Sequence, residues 1–254
     1  MSTDISAAVE DGVGRLTLDH PPLNILTRGV LRDLRESIAA LERETDVRAI
    51  LMCAEGKHFS AGADVGEHLP PEYEVLIPEF IDTVRAVRGA EVPVIAAVQG
   101  RCLGAGFELA LAADVIVAAE GTVMGQPEIQ LGVLPPAACA LLPGRCAWGT
   151  AVEIVLGGDP ITAEAAHRAG LVQRVVPGEV VIEAGLELAR RLARHSGAVI
   201  RLGKKAMLEA FNRGPVVGLE RAADIYLDDL MDTEDALEGL QAFVEKRSPV
   251  WRHR

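Results

Sequence analysis

The sequence predicts an α/β fold with a helical C-terminal part. Short apolar runs that suit buried strands alternate with helical stretches between Ala49 and Ala118, and beyond residue 145 one helical period follows another. Aromatic residues make up only 4% of the chain, so the core has to be built from Ala, Val, Leu and Ile. Strand–helix alternation followed by helices implies a layered core with a helical appendage.

Val9 to Asp19 alternates around Asp11-Gly12 and predicts a hairpin whose second arm is Gly14-Arg15-Leu16-Thr17-Leu18. Pro21-Pro22-Leu23-Asn24 breaks it. Thr27 is placed to cap a helix running to about Glu44, with Val30, Leu31, Leu34, Ile38 and Leu41 on its apolar face. Ala49 to Cys53 reads as a buried strand ended by Glu55-Gly56-Lys57, and Tyr73 to Arg88 as a helix. Val92 to Val98 is a second buried strand, with Pro93 near its start where a missing donor is tolerated. It leads through Gly100 into the Gly104-Ala105-Gly106 turn and a short helix, before a third strand at Val115 to Ala118. Helical periods then cover 150–156, 162–169, 180–195, 198–211, 216–229 and 233–246. A soft boundary divides residues 1–195, the core carrying the site, from residues 196–254, a helical C-terminal region.

A chain of 254 residues with 49% hydrophobic and 24% charged residues suits one large domain, or one with a small appendage. Its net charge of −12, with no Lys/Arg run, argues against nucleic acid or an acidic membrane as partner. A small anion held by a few local cations stays open. No apolar run approaches the ~20 residues of a membrane span, and Met1 to Glu10 has no signal-peptide pattern. Cys53, Cys102, Cys139 and Cys146 lack CxxC spacing and read as reduced, buried thiols of a cytoplasmic protein.

Two glutamates twenty residues apart carry the chemistry: Glu108 in Gly104-Ala105-Gly106-Phe107-Glu108 and Glu128 in Gly125-Gln126-Pro127-Glu128. Carboxylates are costly in such apolar, glycine-rich surroundings, and a pair there suits general acid–base work. His58-Phe59-Ser60-Ala61-Gly62-Ala63-Asp64 and the Gly104 turn each follow a buried strand. Loops of small residues can together offer two N–H donors to one oxygen, an oxyanion hole for an enolate or a tetrahedral intermediate. Glu108 lies in the first helical turn, where the dipole should favour its ionised form.

Other readings exist. Either loop alone is consistent with a tight turn, and Glu128 with a salt-bridge or helix-start carboxylate. Gly104-x-Gly106 evokes a dinucleotide loop, but Leu109 stands where a third glycine is needed. Ser60 lacks a G-x-S-x-G elbow, and His58 and His68 lack metal-ligand spacing and read as exposed loop histidines. Asp64 and Glu67 could add a third carboxylate, Asp64 reading rather as a turn residue.

These motifs together resemble the enoyl-CoA hydratase/isomerase (crotonase) superfamily over nearly the whole chain. Pro22-Leu23-Asn24-Ile25-Leu26, Ser60 to Asp64, Gly100 to Asp114, Gly125 to Gly132 and Phe243-Val244-Glu245-Lys246-Arg247 fall in the family's order. The resemblance implies a crotonase-like spiral of ββα turns and a C-terminal α-helical trimerisation region, forming homotrimers or dimers of trimers. It implies an acyl-CoA thioester substrate and no metal or cofactor beyond the coenzyme A of the substrate. By position, Ala63 and Ala105 look like the oxyanion-hole amides, Glu108 like the base that activates water for C3, and Glu128 like the acid that protonates C2. Leu23, Ala61, Gly62, Asp64, Gly104, Pro135 and Pro136 look like substrate or CoA contacts. Lys246 is similar to a lysine that meets a CoA phosphate from a neighbouring subunit.

One departure stands out. Straight-chain hydratases have a Pro-Gly-Ala-Gly-Gly-Thr-like run where this chain has Leu134-Pro135-Pro136-Ala137-Ala138-Cys139. Pro136 replaces a glycine and has no N–H to donate, so any water or proton placement that needs that donor must change. The run is similar to that of cyclohexa-1,5-diene-1-carbonyl-CoA hydratases. The resemblance thus implies reversible hydration of an α,β-unsaturated acyl-CoA, linear or cyclic. Rivals are a double-bond isomerase or acyl-CoA hydrolase of the same fold, and a non-catalytic binding protein on a degenerate crotonase fold.

Overall fold

A computed structural model describes residues 4–253. The chain opens on β1 (Ile5–Glu10) and β2 (Val13–Leu18), which pair antiparallel with Glu10 opposite Val13. The turn between them places Asp11 at φ 53° and Gly12 at φ 76°, the left-handed pair that a two-residue hairpin requires. Thr27 Oγ1 accepts the Val30 N–H at 3.3 Å and starts α1 (Arg28–Arg43), whose five predicted apolar residues are all buried. Then come β3 (Ala49–Ala54), buried at every residue, α2 (Tyr73–Gly89) and β4 (Val94–Val98). The last begins two residues later than expected. Pro93 stands before it and contributes only its carbonyl, which accepts the Ile50 N–H at 2.8 Å.

Next are β5 (Arg101–Leu103), α3 (Ala105–Ala112), β6 (Val115–Ala119), β7 (Val123–Gly125) and α4 (Pro136–Leu141). They are followed by α5 (Trp148–Val152), β8 (Ile161–Thr162), α6 (Ala163–Arg168), β9 (Arg174–Val176) and α7 (Val181–Ala193). The chain ends in α8 (Gly197–Arg213), α9 (Pro215–Asp224) and α10 (Glu234–Glu245). Strands β5, β7, β8 and β9 were not expected. Each is two or three residues long, too short to leave a periodic trace, and exists because a neighbouring strand supplies its hydrogen bonds.

Six strands form one sheet in the order β1-β2-β3-β4-β6-β9, parallel except for the opening hairpin. The other three form a small sheet, β5-β7-β8. Successive turns of the chain give one strand to the large sheet, one short strand to the small one, and then a helix: β4-β5-α3, then β6-β7-α4. Earlier turns follow the same path with single bridges, Leu26 to Ala63 and Ser60 to Cys102. The result is a spiral in which residues far apart in sequence are stacked side by side.

One core fills the space between the large sheet and α1, α2 and α3, with Phe59 and Phe107 fully buried. A second lies between the sheet's other face and α7, where a methyl group on Gly185 would fall 2.8 Å from Leu51 Cδ1. Lys204 of α8 donates to Asp114 at 2.6 Å and to the Val92 carbonyl at 2.9 Å, which fastens the C-terminal helices to the core. Those helices leave Met207, Phe211, Leu219, Leu227, Phe243 and Val244 more than half exposed. Among the described residues no helix is long and apolar enough to cross a membrane.

Candidate active site

The spiral brings four loops together. Asn24 is the first clamp: buried and at φ 51°, it donates through Nδ2 to the Glu55 and His58 carbonyls at 3.0 and 2.7 Å. Its Oδ1 accepts the His20 N–H at 2.8 Å. The next loop is stitched on both sides. Ala61 N–H donates to Leu23 O at 3.0 Å and Leu26 N–H to Gly62 O at 2.9 Å, while Ser60 N–H donates to Arg101 O at 3.1 Å and Leu103 N–H to Ser60 O at 3.0 Å. Ser60 is fully buried, with Oγ accepting the Gly62 N–H at 3.2 Å, so it holds the loop's shape and is no exposed nucleophile.

Gly104 is where the loops touch. It sits at φ 52°, ψ −129°, a conformation reserved for glycine, and its N–H donates to Gly125 O at 2.9 Å. A methyl group on it would fall 2.6 Å from Glu128 Oε1 and 3.8 Å from Gly62 Cα. The residues next to these two glycines are Ala63 and Ala105. Among the described residues neither of their amides has an acceptor within the protein, so two free donors stand on backbone segments in contact.

Glu108 projects from the first turn of α3 and is 2% exposed. Its Oε1 accepts the N–H groups of Ala137 and Ala138 at 2.7 and 2.8 Å, and no described residue bonds to Oε2. Burial raises its pKa to about 8, and the Glu128 charge adds to the rise while the two amides oppose it. The expected ionised state is therefore reversed in the free protein. The helix dipole is a small effect, and removing the carboxylate from water outweighs it.

Glu128 lies in the 3₁₀ turn Pro127–Leu131 and is half-buried, which pushes its pKa up, while its own N–H and the nearby His68 pull it down. Gln126 is fully buried, and with its amide nitrogen turned toward Glu128 it donates to both carboxylate oxygens at 3.0 and 3.2 Å. Cys139 of α4 is exposed, not buried as expected, and its thiol is pushed up by partial burial and then by Glu108 and Glu128. Cys53 and Cys102 are buried and Cys146 half-buried.

Pro136 does not remove a donor from the carboxylate. It is the first residue of α4, where a missing N–H costs nothing, and the next two amides serve Glu108. Pro135 is buried and Pro136 half-buried beside them. Asp64 acts as a turn residue, its Oδ1 accepting the Gly66 and Glu67 N–H groups at 2.7 and 3.2 Å. Glu67 accepts the Arg28 N–H at 3.0 Å and so caps α1. His58 is half-buried, its Nδ1 accepting the Arg101 N–H at 3.1 Å. Lys246 ends α10 in the left-handed conformation, and its backbone N–H bonds within that helix end. Gln126 is a member of the site that sequence reasoning missed. Gln126 directly precedes Pro127-Glu128, and that adjacency was the signal available. Among the described residues no three His, Cys, Asp or Glu side chains are grouped to hold a metal ion.

The chain is similar to known proteins in sequence and fold. A family model described as enoyl-CoA hydratase/isomerase matches residues 8–254. A cyclohexa-1,5-dienecarbonyl-CoA hydratase of Thauera aromatica is 35% identical over 240 residues, which is 94% of this chain and 93% of that protein. A 2,3-dehydroadipyl-CoA hydratase of Escherichia coli K12 is 34% identical over 242 residues, 94% of each chain. The solved structure of Pseudomonas aeruginosa DspI superposes with a TM-score of 0.95 at 34% identity, covering 99% of this chain and 97% of that one.

Proposed function

The chain belongs to the enoyl-CoA hydratase/isomerase family, and from that premise we propose how its site adds water reversibly across the α,β double bond of an acyl-CoA thioester. The observation that carries the reading is the pair of carboxylates, Glu108 and Glu128, close enough for one to raise the other's pKa, behind two free backbone donors. Ala63 and Ala105 N–H hold the thioester oxygen as negative charge gathers there in the enolate. Glu108, through Oε2, takes a proton from water as the water oxygen bonds to C3. Glu128 gives its proton to C2. Glu108 then holds one proton more and Glu128 one fewer, and passage of that proton from Glu108 to Glu128, directly or through solvent, completes the cycle. A base whose pKa lies near working pH is effective when it does ionise.

Leu23, Ala61, Gly62, Asp64 and Gly104 flank the thioester, and Pro135 and Pro136 wall the acyl end. No cofactor is needed beyond the coenzyme A of the substrate. The exposed apolar residues of the C-terminal helices support a homotrimer, or a pair of trimers, in which Lys246 reaches a neighbour's CoA phosphate. Residues 1–195 then form the catalytic core and 196–254 the assembly region. Four free cysteines support a reducing, cytoplasmic setting.

A cyclic dienoyl thioester is the second reading for the substrate, favoured by the apolar α4 wall and by the Thauera relative. Loss of enoyl absorbance is the test, with crotonyl-CoA against cyclohexa-1,5-diene-1-carbonyl-CoA. Turnover of the cyclic substrate alone supports the second reading, preference for the linear one removes it, and turnover of neither removes the hydratase.

A further inference from the structure

The 3₁₀ turn Pro127–Leu131 that carries Glu128 is anchored where it leaves β7. There the Gly125 carbonyl accepts the Gly104 N–H at 2.9 Å, and the Glu128 carboxyl rests against Gly104. Val133 N–H donates to Glu128 O at 3.2 Å and Gly132 N–H to Ile129 O at 3.1 Å. These two bonds close the turn on itself, so they fix its shape and not its place in the molecule.

Behind the turn runs the segment Gly158-Asp159-Pro160, which follows the π-helical turn Glu153–Gly157. The two meet at both ends. A methyl group on Gly125 would fall 2.9 Å from Pro160 Cα, and one on Gly158, at φ 73°, would fall 2.5 Å from Ile129 Cγ2. Both contacts border a cavity of about 350 Å³ lined by Leu103, Gly125, Pro127, Gln130, Gly158 and Pro160. Packing alone therefore leaves the turn room to retreat. Across this gap Gln130 Nε2 donates to the Gly158 carbonyl at 2.9 Å. Among the described residues it is the one side-chain hydrogen bond between the turn and that segment. A 3₁₀ turn is tightly wound, so a shift at Gln130 is passed to Glu128 two residues before it.

We propose that Gln130 is a positioning residue for the acid half of the reaction: its amide, held on the Gly158 carbonyl, keeps the turn out of the cavity and the Glu128 carboxyl against Gly104. Its meaning for catalysis rests on the hydratase reading, while the place of the carboxyl can be measured without turnover. Gln130 bonds to neither Ala63 nor Ala105, so its loss falls on kcat and spares KM.

Gln130→Met keeps the length of the side chain and removes its donor. A crystal structure of Q130M is expected to show the Glu128 carboxyl displaced from Gly104 by about 1 Å, and kcat should fall roughly 10- to 100-fold with KM within about twofold of wild type. Q130N, too short to reach Gly158, should behave alike. Q173M is the control for the loss of a structural amide. Gln173 donates to Gly170 O at 3.0 Å and accepts the Ile116 N–H at 2.8 Å between α6 and β9, so Q173M should melt earlier and keep its kcat. A Q130M carboxyl in its wild-type place overturns the proposal, as does a displaced carboxyl with wild-type kcat. A loss of kcat that Q173M reproduces, or one matched by a rise in KM, overturns it too. If E128Q still hydrates enoyl-CoA, the acid role given to Glu128 fails, and not the anchoring of its carboxyl by Gln130.

Discussion

Glu108 Oε1 accepts the Ala137 N–H at 2.7 Å, a bond between the first turn of α3 and the start of α4. It ties Glu108 to α4 and explains how a Pro-Pro start can stand beside the carboxylate. Pro136 occupies the first helical position, so the helix begins there and its next amides face the carboxylate.

Glu108→Gln and Glu128→Gln each keep the side chain's shape and remove its proton chemistry. Hydration of the preferred enoyl-CoA is expected to fall roughly 10²- to 10⁴-fold in each. Steady-state kcat, in variants that melt cooperatively at or above the wild-type midpoint, checks this. An isomerase of the same fold would lose activity in only one of the two variants.

Burial also makes stability depend on pH. Glu108 holds its proton to about pH 8 when folded but releases it near 4.5 when unfolded. Below the lower value both states are protonated and nothing is lost; between the two, only the unfolded state ionises, so stability falls as pH rises. Glu108→Gln has no such penalty and should gain on wild type by on the order of a few kcal/mol between about pH 5 and about pH 8. Denaturation at both pH values measures the gap, and a constant gap contradicts the burial argument.

Gly104→Ala places a methyl group 2.6 Å from Glu128 Oε1 on a backbone at φ 52°. Strain of about 1–3 kcal/mol is expected, with kcat down roughly 100-fold as Glu128 is pushed aside. A variant with wild-type kcat would show that the loops yield without moving the carboxylate.

Asn24→Ala removes three hydrogen bonds that clamp the loops and leaves alanine at φ 51°. A loss of about 2–4 kcal/mol is expected. Asn24→Gly relieves the backbone cost alone, so it should recover only the smaller part; full recovery would mean the side-chain bonds contribute little.

Much of this could be read along the chain. The Thr27 cap, the apolar face of α1, the wholly buried β3 and the two glutamate motifs are local patterns, because caps, periods and glycine turns are written in adjacent residues. The four short strands were not legible, since two or three residues carry no period and owe their form to a neighbour. Gln126 was not legible as a partner of Glu128 either, because the contact depends on how the side chains turn.

The sequence by itself determined the fold class, the order of the helices other than α4, the identity of the two carboxylates and the small residues that let the backbone come close. Tertiary structure alone decided how their titration is shifted. The spiral stacks α3 under α4 and buries Glu108 to 2% exposure, and removal from water moves a carboxyl further than the dipole of its own helix can. Burial and through-space charge depend on what other turns of the chain bring alongside, and no local pattern encodes that.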